Sequence, residues 1–373
     1  MLKILLDPQI FNEQTFGGIS RYYTEIYSEI KKRDHADIYC PLLYTDNIHF
    51  KESPLFLESF QFRMRMFIKY GKILRYFLPR KLKKRNRKLF TKLLQQEKFD
   101  VFVPTYYDTS FLNVTQKPFV LTVYDMIHEI FPQYFLEDTV TVPNKKLLLE
   151  KASRVIAISK STKNDILRIY PHIPADKIDV VPLSYAIKSP TENRPNLPNK
   201  YLLFVGNRSV YKNFTFFIKA IASLLVDDPE LMLLCAGGNA FKDNELQIIA
   251  ELGISNQVSQ QNFEDNELYH YYKNALCFIF PSEYEGFGIP VLEAMACDCP
   301  VILANHSSFP EVAGEAGLYF ELNNAGDLNA KVFSLVNDPE LRNHYRELGL
   351  EQVKKFSWKK TADECLQVFK KAI

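Results

Sequence analysis

Short apolar runs alternate with amphipathic stretches along the whole chain. The runs are rich in β-branched and aromatic side chains and are almost continuously apolar, as are strands of a parallel sheet that is covered on both faces. The pattern therefore predicts strands over the following segments: 3–8, 37–43, 100–106, 118–125, 154–159, 178–183, 201–206, 231–238, 275–282 and 300–305.

Helical periodicity separates several of these runs, notably at 20–32 and 161–170. Strands that alternate with helices predict an α/β fold of two doubly wound domains. Residues 188–199 are rich in Pro and Asn and are predicted to be a linker between domains at 1–187 and 200–355. Because ligands of open α/β sheets bind beyond the carboxyl ends of the strands, we expect the ligand in the cleft between the domains.

The composition is that of a soluble protein, with 47% apolar and 24% charged residues. The first strand reaches Asp7 before an apolar core of signal-peptide length has formed, so we do not expect export. Six cysteines in 373 residues do not form a disulfide framework. Cys297 and Cys299 have no second cysteine or histidine pair to complete a metal site, so we expect them to be structural. These observations predict a cytoplasmic protein.

One segment, 59–96, contains thirteen Lys and Arg residues and no acidic residue, although the whole chain has a net charge of only +2. Apolar side chains are interleaved with these cations. The segment is typical of a peripheral contact with an anionic membrane surface, here the inner face of the membrane, and a solvated pair of helices is the alternative. Nucleic acid is not an expected partner because no recognised module accompanies the charge.

The most informative segment is 281–305, which reads PSEYEGFGIPVLEAMACDCPVILAN. A strand ends at Pro281, a glycine-containing loop follows, and Pro290 suits the first turn of a helix. Glycines in the loop let the backbone approach a ligand closely. The exposed N–H groups at the helix start form an anion site suited to a diphosphate, and they belong to Phe287, Gly288 and Ile289.

Two carboxylates flank this predicted phosphate cradle. Glu285 lies on the loop, and Glu293 lies one turn into the helix. With the cradle between them, one carboxylate can reach a sugar and the other a ribose diol. This spacing predicts a binding site for a nucleotide sugar.

The same segment resembles the Glu-x7-Glu signature of the family-4 retaining glycosyltransferases. The resemblance implies the GT-B fold, in which two Rossmann-like, doubly wound domains face each other across a cleft. Residues 123–135 are similar to the central loop of bacterial mannosyltransferase-like members, and the terminal helix at about 356–373 resembles the one that crosses back to the first domain. Further family-like segments are 16–23, 152–166 and 204–214. The resemblance thus runs over nearly the whole chain.

On the donor side, the resemblance implies that Arg208 and Lys212 neutralise the diphosphate. Glu293 would accept hydrogen bonds from the ribose hydroxyls, and Glu285 would hold the transferred sugar. The family uses no metal ion, and this chain has no Asp-x-Asp pair. We therefore expect no cofactor and no metal; the nucleotide sugar is a co-substrate.

In the first domain, the resemblance implies that Gly17 and Gly18 let a loop close over the diphosphate. It also implies that Asp125 and His128 face the sugar and the acceptor. Many relatives have His-Asp where this chain has Tyr124-Asp125, so whether His128 replaces the missing histidine stays open.

The activity implied is a metal-independent, retaining transfer of a hexose to a glycan or lipid-linked acceptor in cell-surface polysaccharide synthesis. The central loop favours GDP-mannose as the donor. A UDP-sugar-dependent enzyme of the same fold and a catalytically silent nucleotide-sugar-binding protein are the alternatives. A Rossmann dehydrogenase is disfavoured because no G-x-G-x-x-G follows a strand.

Overall fold

A computed structural model describes residues 1–57, 74–188 and 194–373. The chain divides into two compact units. The first comprises Met1–Ile158, Thr162–Leu183 and Trp358–Ile373, and the second comprises Ser159–Ser161 and Ser184–Ser357. The predicted linker, 188–199, lies partly outside the described residues.

The first unit contains two three-stranded parallel sheets, β2-β1-β3 and β4-β5-β6. A parallel bridge between Phe102 and Phe119 joins β3 to β4. The strands are β1 (Leu2–Leu6), β2 (Ala36–Tyr39), β3 (Val101–Val103), β4 (Val120–Val123), β5 (Arg154–Ala157) and β6 (Ile178–Val180).

Helices cover these sheets, as the predicted βαβ units require. They are α1 (Gln9–Glu13), α2 (Gly18–Lys31), α3 (Ile48–Glu52), α4 (Pro54–Leu57), α5 (Leu74–Gln96), α6 (Ile127–Ile130), α7 (Thr141–Lys151), α8 (Lys160–Ile169) and, at the other end of the chain, α16 (Trp358–Lys371). The last helix packs on α2, where Arg33 Nε donates to Asp363 at 2.8 Å. The ends of the chain therefore share one core.

The second unit is a single six-stranded parallel sheet with the order β12-β11-β10-β7-β8-β9. Its strands are β7 (Tyr201–Val205), β8 (Met232–Ala236), β9 (Val258–Gln261), β10 (Cys277–Phe280), β11 (Val301–Ala304) and β12 (Gly317–Phe320). Its helices are α9 (Phe214–Asp227), α10 (Asp243–Glu251), α11 (Leu268–Asn274), α12 (Ile289–Ala296), α13 (Phe309–Ala313), α14 (Ala325–Asn337) and α15 (Pro339–Val353).

The predicted α/β fold with parallel sheets in two domains is confirmed, and each predicted strand segment overlaps an observed strand. The apolar pattern did not predict β9 and β12, the two edge strands of the second unit. β9 reads VSQQ and is half-buried throughout, so it has no apolar run to detect. β12 begins at Gly317, and its two central residues are also half-buried.

Candidate active site

The strand order of the second unit locates a ligand site before any side chain is considered. β7 is followed along the chain by β8 and β9 on one side of the sheet, whereas β10, β11 and β12 lie on the other side. The direction of winding therefore reverses between β7 and β10. In open α/β sheets, ligands bind outside the carboxyl ends of the strands at this switch point.

The loops after β7 and β10 bring a predicted cation and a predicted carboxylate together at this point. Lys212 Nζ lies 2.5 Å from Glu285 Oε1, and each side chain is 15% exposed. The Glu283 N–H donates to the Tyr211 carbonyl at 2.8 Å, which ties the two loops together. Lys212 Nζ also lies 4.7 Å from the centre of the Phe280 ring. The sequence separates these residues widely, but the sheet places them in contact.

Helix α12 begins directly after the Glu285 loop. Gly288 has φ 95°, and a Cβ there would lie 3.2 Å from Phe309 Cε1, so both the backbone and the packing favour glycine. Within the described ranges, no acceptor bonds the N–H groups of Phe287, Gly288 or Ile289. These groups have the character of an anion site at a helix start. Glu293 lies on the same helix and is buried.

Two serines that the sequence did not single out fix the shape of this loop. Ser307 Oγ accepts a hydrogen bond from the Glu285 N–H at 3.2 Å. Ser308, which is fully buried, has its hydroxyl 2.9 Å from the carbonyl oxygens of both Glu285 and Phe287. The serines follow β11, so only the parallel pairing of β10 with β11 brings them to the loop. No signal local to the motif could have identified them.

Arg208 occupies a different environment from that of Lys212. Its Nε lies 3.0 Å from Glu245 Oε1, with side-chain exposures of 2% and 5%. Nη2 donates to the carbonyls of Asn239 and Ala240 at 3.0 and 2.9 Å, and Nη1 makes only a 3.5 Å contact with the Gly237 carbonyl. Arg208 thus supports the loop after β8, and its predicted contact with a diphosphate stays a prediction.

The loop after β8 also approaches the loop after β7 closely. A Cβ on Gly238 would lie 2.4 Å from the Gly206 carbonyl oxygen and 3.1 Å from Arg208 Nη1. Gly238 has φ 75°, a region that favours glycine. The Gly-Gly pair at the end of the predicted strand segment 231–238 is the sequence feature that could have indicated this close contact. The sequence could not identify Glu245 as the partner of Arg208, because 37 positions separate the two residues.

In the first unit, Asp125 follows β4 and is half-buried. Its Oδ1 accepts the Ile127 N–H at 3.1 Å, a local turn contact that leaves Oδ2 without a bond to the described residues. Lys145 Nζ donates to the Asp125 carbonyl at 3.1 Å and pairs with Glu129 at 2.9 Å in a buried salt bridge. The backbone at Asp125 is therefore held by a charge in the core.

His128 lies nearby on α6. Its Nε2 is 3.3 Å from Asp138 Oδ2, its ring packs 4.1 Å from that of Phe135, and its buried Nδ1 has no partner among the described residues. Burial opposes the ionisation of Asp138, but hydrogen bonds from Thr141 and Val140 and the charge of His128 lower its pKa. These contacts are those of a structural loop histidine, and the predicted role of His128 towards the acceptor remains a prediction.

Tyr124, where the family resemblance implies a histidine, belongs to the core. It is buried, and its hydroxyl lies 2.7 Å from that of Tyr23 and 3.0 Å from the Thr105 carbonyl. Burial raises the pKa of Tyr124 well above its usual value, so the phenol stays neutral. Tyr124 therefore packs in the core and does not supply a titratable group at this position.

Gly17 and Gly18 lie at the start of α2. Gly17 is extended, with φ 167°, and its carbonyl accepts from the Ser20 hydroxyl at 2.9 Å. A Cβ on Gly18 would meet no atom within 4 Å, so packing does not require glycine there. The contacts of Gly17 and Gly18 do not test the predicted closing of this loop over a diphosphate, which stays a prediction.

The basic segment falls partly outside the described residues, at 59–73. Its remainder, 74–96, is α5. One side of this helix, here called the outer face, carries four exposed cations that have no acidic partner in the described ranges: Lys81, Arg85, Lys88 and Lys92. No helix in the described parts of the chain is both long and apolar enough to cross a membrane.

Asp298 has φ 60°, a left-handed conformation that Asp tolerates better than most residues, and its Oδ2 accepts a hydrogen bond from Lys273 Nζ at 2.8 Å. Cys297 and Cys299 are buried, and burial raises the pKa of Cys297 to about 12, so they are inert structural thiols. No group of three or more potential metal ligands occurs in the described residues.

Comparison with known families assigns both halves of the chain. Residues 16–184 match the model described as Glycosyltransferase Family 4, and residues 187–352 match the model described as Glycosyl transferases group 1. The two matches together span all the predicted donor-side and first-domain site residues.

Individual proteins agree with this assignment. O-antigen chain mannosyltransferase B of Escherichia coli is 30% identical over 266 residues, which cover 67% of this chain and 70% of that protein. N-acetylgalactosamine-N,N'-diacetylbacillosaminyl-diphospho-undecaprenol 4-alpha-N-acetylgalactosaminyltransferase of Campylobacter jejuni is 29% identical over 59% of this chain and 61% of its own length. HepE of Anabaena, solved with UDP and glucose, has the same fold, with a TM-score of 0.68, 17% identity and coverage of 98% of this chain and 99% of its own.

Proposed function

Because the chain belongs to the family-4 glycosyltransferases of the GT-B fold, we propose that it transfers a hexose from a nucleotide diphosphate to a glycan or lipid-linked acceptor. The observation that carries the proposal is the contact between Lys212 and Glu285 at the switch point of the second unit, next to the start of α12. A cation, a carboxylate and free backbone N–H groups at one place suit a diphosphate that is attached to a sugar.

In the proposed mechanism, Lys212 and the N–H groups of Phe287, Gly288 and Ile289 stabilise the diphosphate as it leaves. This stabilisation is largest in the transition state, where negative charge develops on the leaving oxygens. Glu285 holds hydroxyls of the transferred sugar, and Glu293 accepts hydrogen bonds from the ribose. Arg208 contributes indirectly, because it supports the loop after β8.

We propose that transfer retains the anomeric configuration, with the leaving phosphate oxygen taking the proton of the acceptor hydroxyl. The protein then contributes position and charge rather than a nucleophile. Proton NMR of the product formed from an α-linked donor tests this step directly. An α-linked product is expected, and a β-linked product would contradict retention.

We also propose that the reaction needs no metal ion, since cations and a helix start take over the neutralisation of charge. The initial rate should be unchanged in EDTA. A rate that falls in EDTA and returns with Mn²⁺ or Mg²⁺ would refute this part of the proposal without affecting the assignment of the donor site.

GDP-mannose is the donor that we favour, because the mannosyltransferase of Escherichia coli is 30% identical to this chain. The alternative is a UDP-sugar, which is supported by the UDP bound to the HepE structure. A thermal-shift screen of UDP-, GDP-, ADP- and dTDP-sugars, followed by transfer assays with the donors that stabilise the protein, separates the two. Stabilisation without hydrolysis or transfer would indicate a catalytically silent nucleotide-sugar-binding protein.

The acceptor that we propose is a lipid-linked glycan in cell-surface polysaccharide synthesis, made at the cytoplasmic face of a membrane. Two observations support it: the Campylobacter relative is named for a diphospho-undecaprenol acceptor, and α5 presents on its outer face four cations that pair with no acid in the part of the chain that the structure describes. Each basic residue near an anionic surface contributes about 1 kcal/mol.

Vesicle binding tests the role of the outer face. Wild-type protein should sediment with phosphatidylglycerol vesicles at low salt, and charge reversal of Lys81, Arg85, Lys88 and Lys92 to Glu should release it. High salt should have the same effect, because exposed charges are screened. Wild-type protein that ignores such vesicles at low salt would leave the outer face as a solvated helix surface.

A further inference from the structure

The first unit contains a pocket that the assigned residues do not use. It has a volume of about 450 Å³ and is lined by residues that directly follow β1, by residues that follow β3, and by one side of α5. β2 lies on one side of β1 and β3 lies on the other. The pocket therefore lies at the switch point of the first unit, which is the position where open α/β sheets bind ligands.

The cations of α5 divide between two faces of the helix. At about 100° per residue, positions 83, 84 and 87 fall on one side and the outer-face positions fall on the other. Lys83, Lys84 and Arg87 line the pocket together with Phe90, Thr91 and Leu94, whereas no outer-face cation lines it. The basic segment thus carries two separate clusters of charge.

Two of the three pocket cations form no ion pair with a described residue, although the carboxylates of Asp7, Glu13 and Asp108 line the same pocket. Lys83 Nζ pairs with Asp46 at 2.6 Å, but Lys84 and Arg87 have no acidic partner in the described ranges. Both are exposed. Unpaired cations at the edge of a concave site attract an anion of the ligand.

The backbone that carries these cations is fixed in place. Asn86, which is fully buried between them, accepts the Leu43 N–H at 2.8 Å and donates to the Tyr44 carbonyl and to Asn12 Oδ1, each at 2.7 Å. These bonds attach α5 to the loop after β2 and to α1. The cationic wall of the pocket is therefore pre-formed.

The wall opposite the cations carries groups that suit sugar hydroxyls. Asp7 and Gln9 lie directly after β1, and Asp108 lies after β3. Gln9 Oε1 is buried and has no hydrogen-bond partner within the described residues. The rings of Phe90 and Phe111 also line the pocket and offer apolar surface to a sugar ring. Carboxylates, an amide and aromatic rings together are typical of carbohydrate recognition.

We propose that this pocket binds a phosphorylated sugar, with Lys84 and Arg87 holding the phosphate and with Asp7 and Gln9 holding the hydroxyls. That this sugar phosphate belongs to the acceptor rests on the proposed function. Lys84 and Arg87 then select acceptors by their charge, a task separate from attraction of the protein to a membrane by the outer face.

Asp7 is suited to bind a hydroxyl in either direction. Its pKa is raised to about 7, mainly by burial and to a smaller extent by the nearby charges of Asp108 and Glu13, while the N–H groups of Gln9 and Thr105 oppose the rise. Near neutral pH the carboxyl is therefore present both as a donor and as an acceptor of hydrogen bonds. Lys83, Lys84 and Arg87 are the charged groups that face it from α5.

Calorimetric titration with hexose 1-phosphates tests the pocket, using the 1-phosphates of mannose, glucose, galactose and N-acetylglucosamine as probes. GDP and UDP are kept in excess so that the nucleotide site is filled. Lys84→Gln with Arg87→Gln is compared with Arg85→Gln and Lys88→Gln, which remove the same charges from the outer face of the same helix. The pocket pair should raise the Kd of the best probe about tenfold or more, and the outer pair should leave it near the wild-type value.

Two results would overturn the proposal: no probe binds the wild-type protein, or both pairs weaken binding equally. Far-ultraviolet circular dichroism and GDP or UDP binding check that the variants are folded. A sugar diphosphate on a short prenyl chain distinguishes the sources of the phosphate: tighter binding that is lost in the pocket pair indicates a lipid-linked acceptor, and equal binding indicates a soluble one. If wild-type protein binds a probe but transfers no sugar, the proposed function fails while the pocket stands.

Discussion

In the second unit, the cations at the carboxyl ends of the strands meet carboxylates, Lys212 with Glu285 and Arg208 with Glu245. In the first unit, Lys84 and Arg87 line a pocket and form no ion pair with any described residue. Paired charges hold loops in one arrangement before a ligand binds, and the ligand must compete for the cation. Unpaired charges are open to an anion but contribute little to the fold. We therefore expect substitutions in the second unit to affect stability and chemistry, and those in the first unit mainly to affect affinity and pH dependence.

Glu245→Ala should have the largest effect on stability. It leaves Arg208 as a buried charge without its carboxylate, and breaking a buried pair costs about 3–5 kcal/mol. The free energy of unfolding from urea titration measures the loss. Glu251→Ala, an exposed substitution on the same helix, is the control and should change it by less than about 0.5 kcal/mol. Equal stability of the two variants would show that Arg208 finds other partners.

Lys212→Ala should lower the rate of transfer by at least about 10²-fold, or about 2.7 kcal/mol of transition-state stabilisation. The reason is that the cation acts on charge that develops as the diphosphate leaves. The initial rate with saturating donor measures the effect. Lys219→Ala removes an exposed lysine of α9 and is the matched control. A Lys212→Ala rate close to that of the control would place the phosphate site elsewhere.

Asp7→Asn should change how stability depends on pH. Burial raises the pKa of Asp7 from 3.8 to about 7, so between these values the folded state holds a proton that the unfolded chain has lost. Stability of the wild-type protein therefore falls as the pH rises from about 4 to 7, and the asparagine variant lacks this loss.

The variant should accordingly gain about 1–3 kcal/mol relative to wild type at pH 8 and little at pH 4. Unfolding titrations at the two pH values test this. If the difference in the free energy of unfolding between the two proteins does not vary with pH, the pKa of Asp7 is not raised by folding. The charges of the first unit would then be compensated, as those of the second unit are.

Tyr124→Phe should have the smallest effect. It removes a hydroxyl from a buried hydrogen bond with Tyr23 and should lower the free energy of unfolding by about 1 kcal/mol. The initial rate of transfer should stay near the wild-type value. Tyr39→Phe, at a position that is 50% exposed, is the control for stability. A large loss of rate at unchanged stability would give Tyr124 a part in the chemistry.

The second unit also shows what could be predicted from the sequence. The segment 281–305 forms a strand, a glycine loop and a helix as predicted, because its signals are local: an apolar run, glycines, and a proline in the first turn. Glu245, Ser307 and Ser308 could not be predicted, since their partners come from neighbouring strands. The pocket of the first unit was missed for the same reason, because three separate segments line it. The sequence shows only that α5 is strongly basic; it does not show that the cations of α5 divide between two faces of the helix.

The central claim is that Lys212 at the switch point of the second unit binds the diphosphate of a nucleotide sugar. Titration calorimetry with UDP, GDP, ADP and dTDP, and with the corresponding monophosphates, tests it on the wild-type protein, Lys212→Ala and Lys219→Ala. We predict that at least one diphosphate binds the wild-type and Lys219→Ala proteins alike and binds Lys212→Ala about tenfold or more weakly, whereas the monophosphate is much less affected. Equal affinity of Lys212→Ala and Lys219→Ala for the diphosphate, or no binding of any diphosphate to the wild-type protein, would contradict the claim.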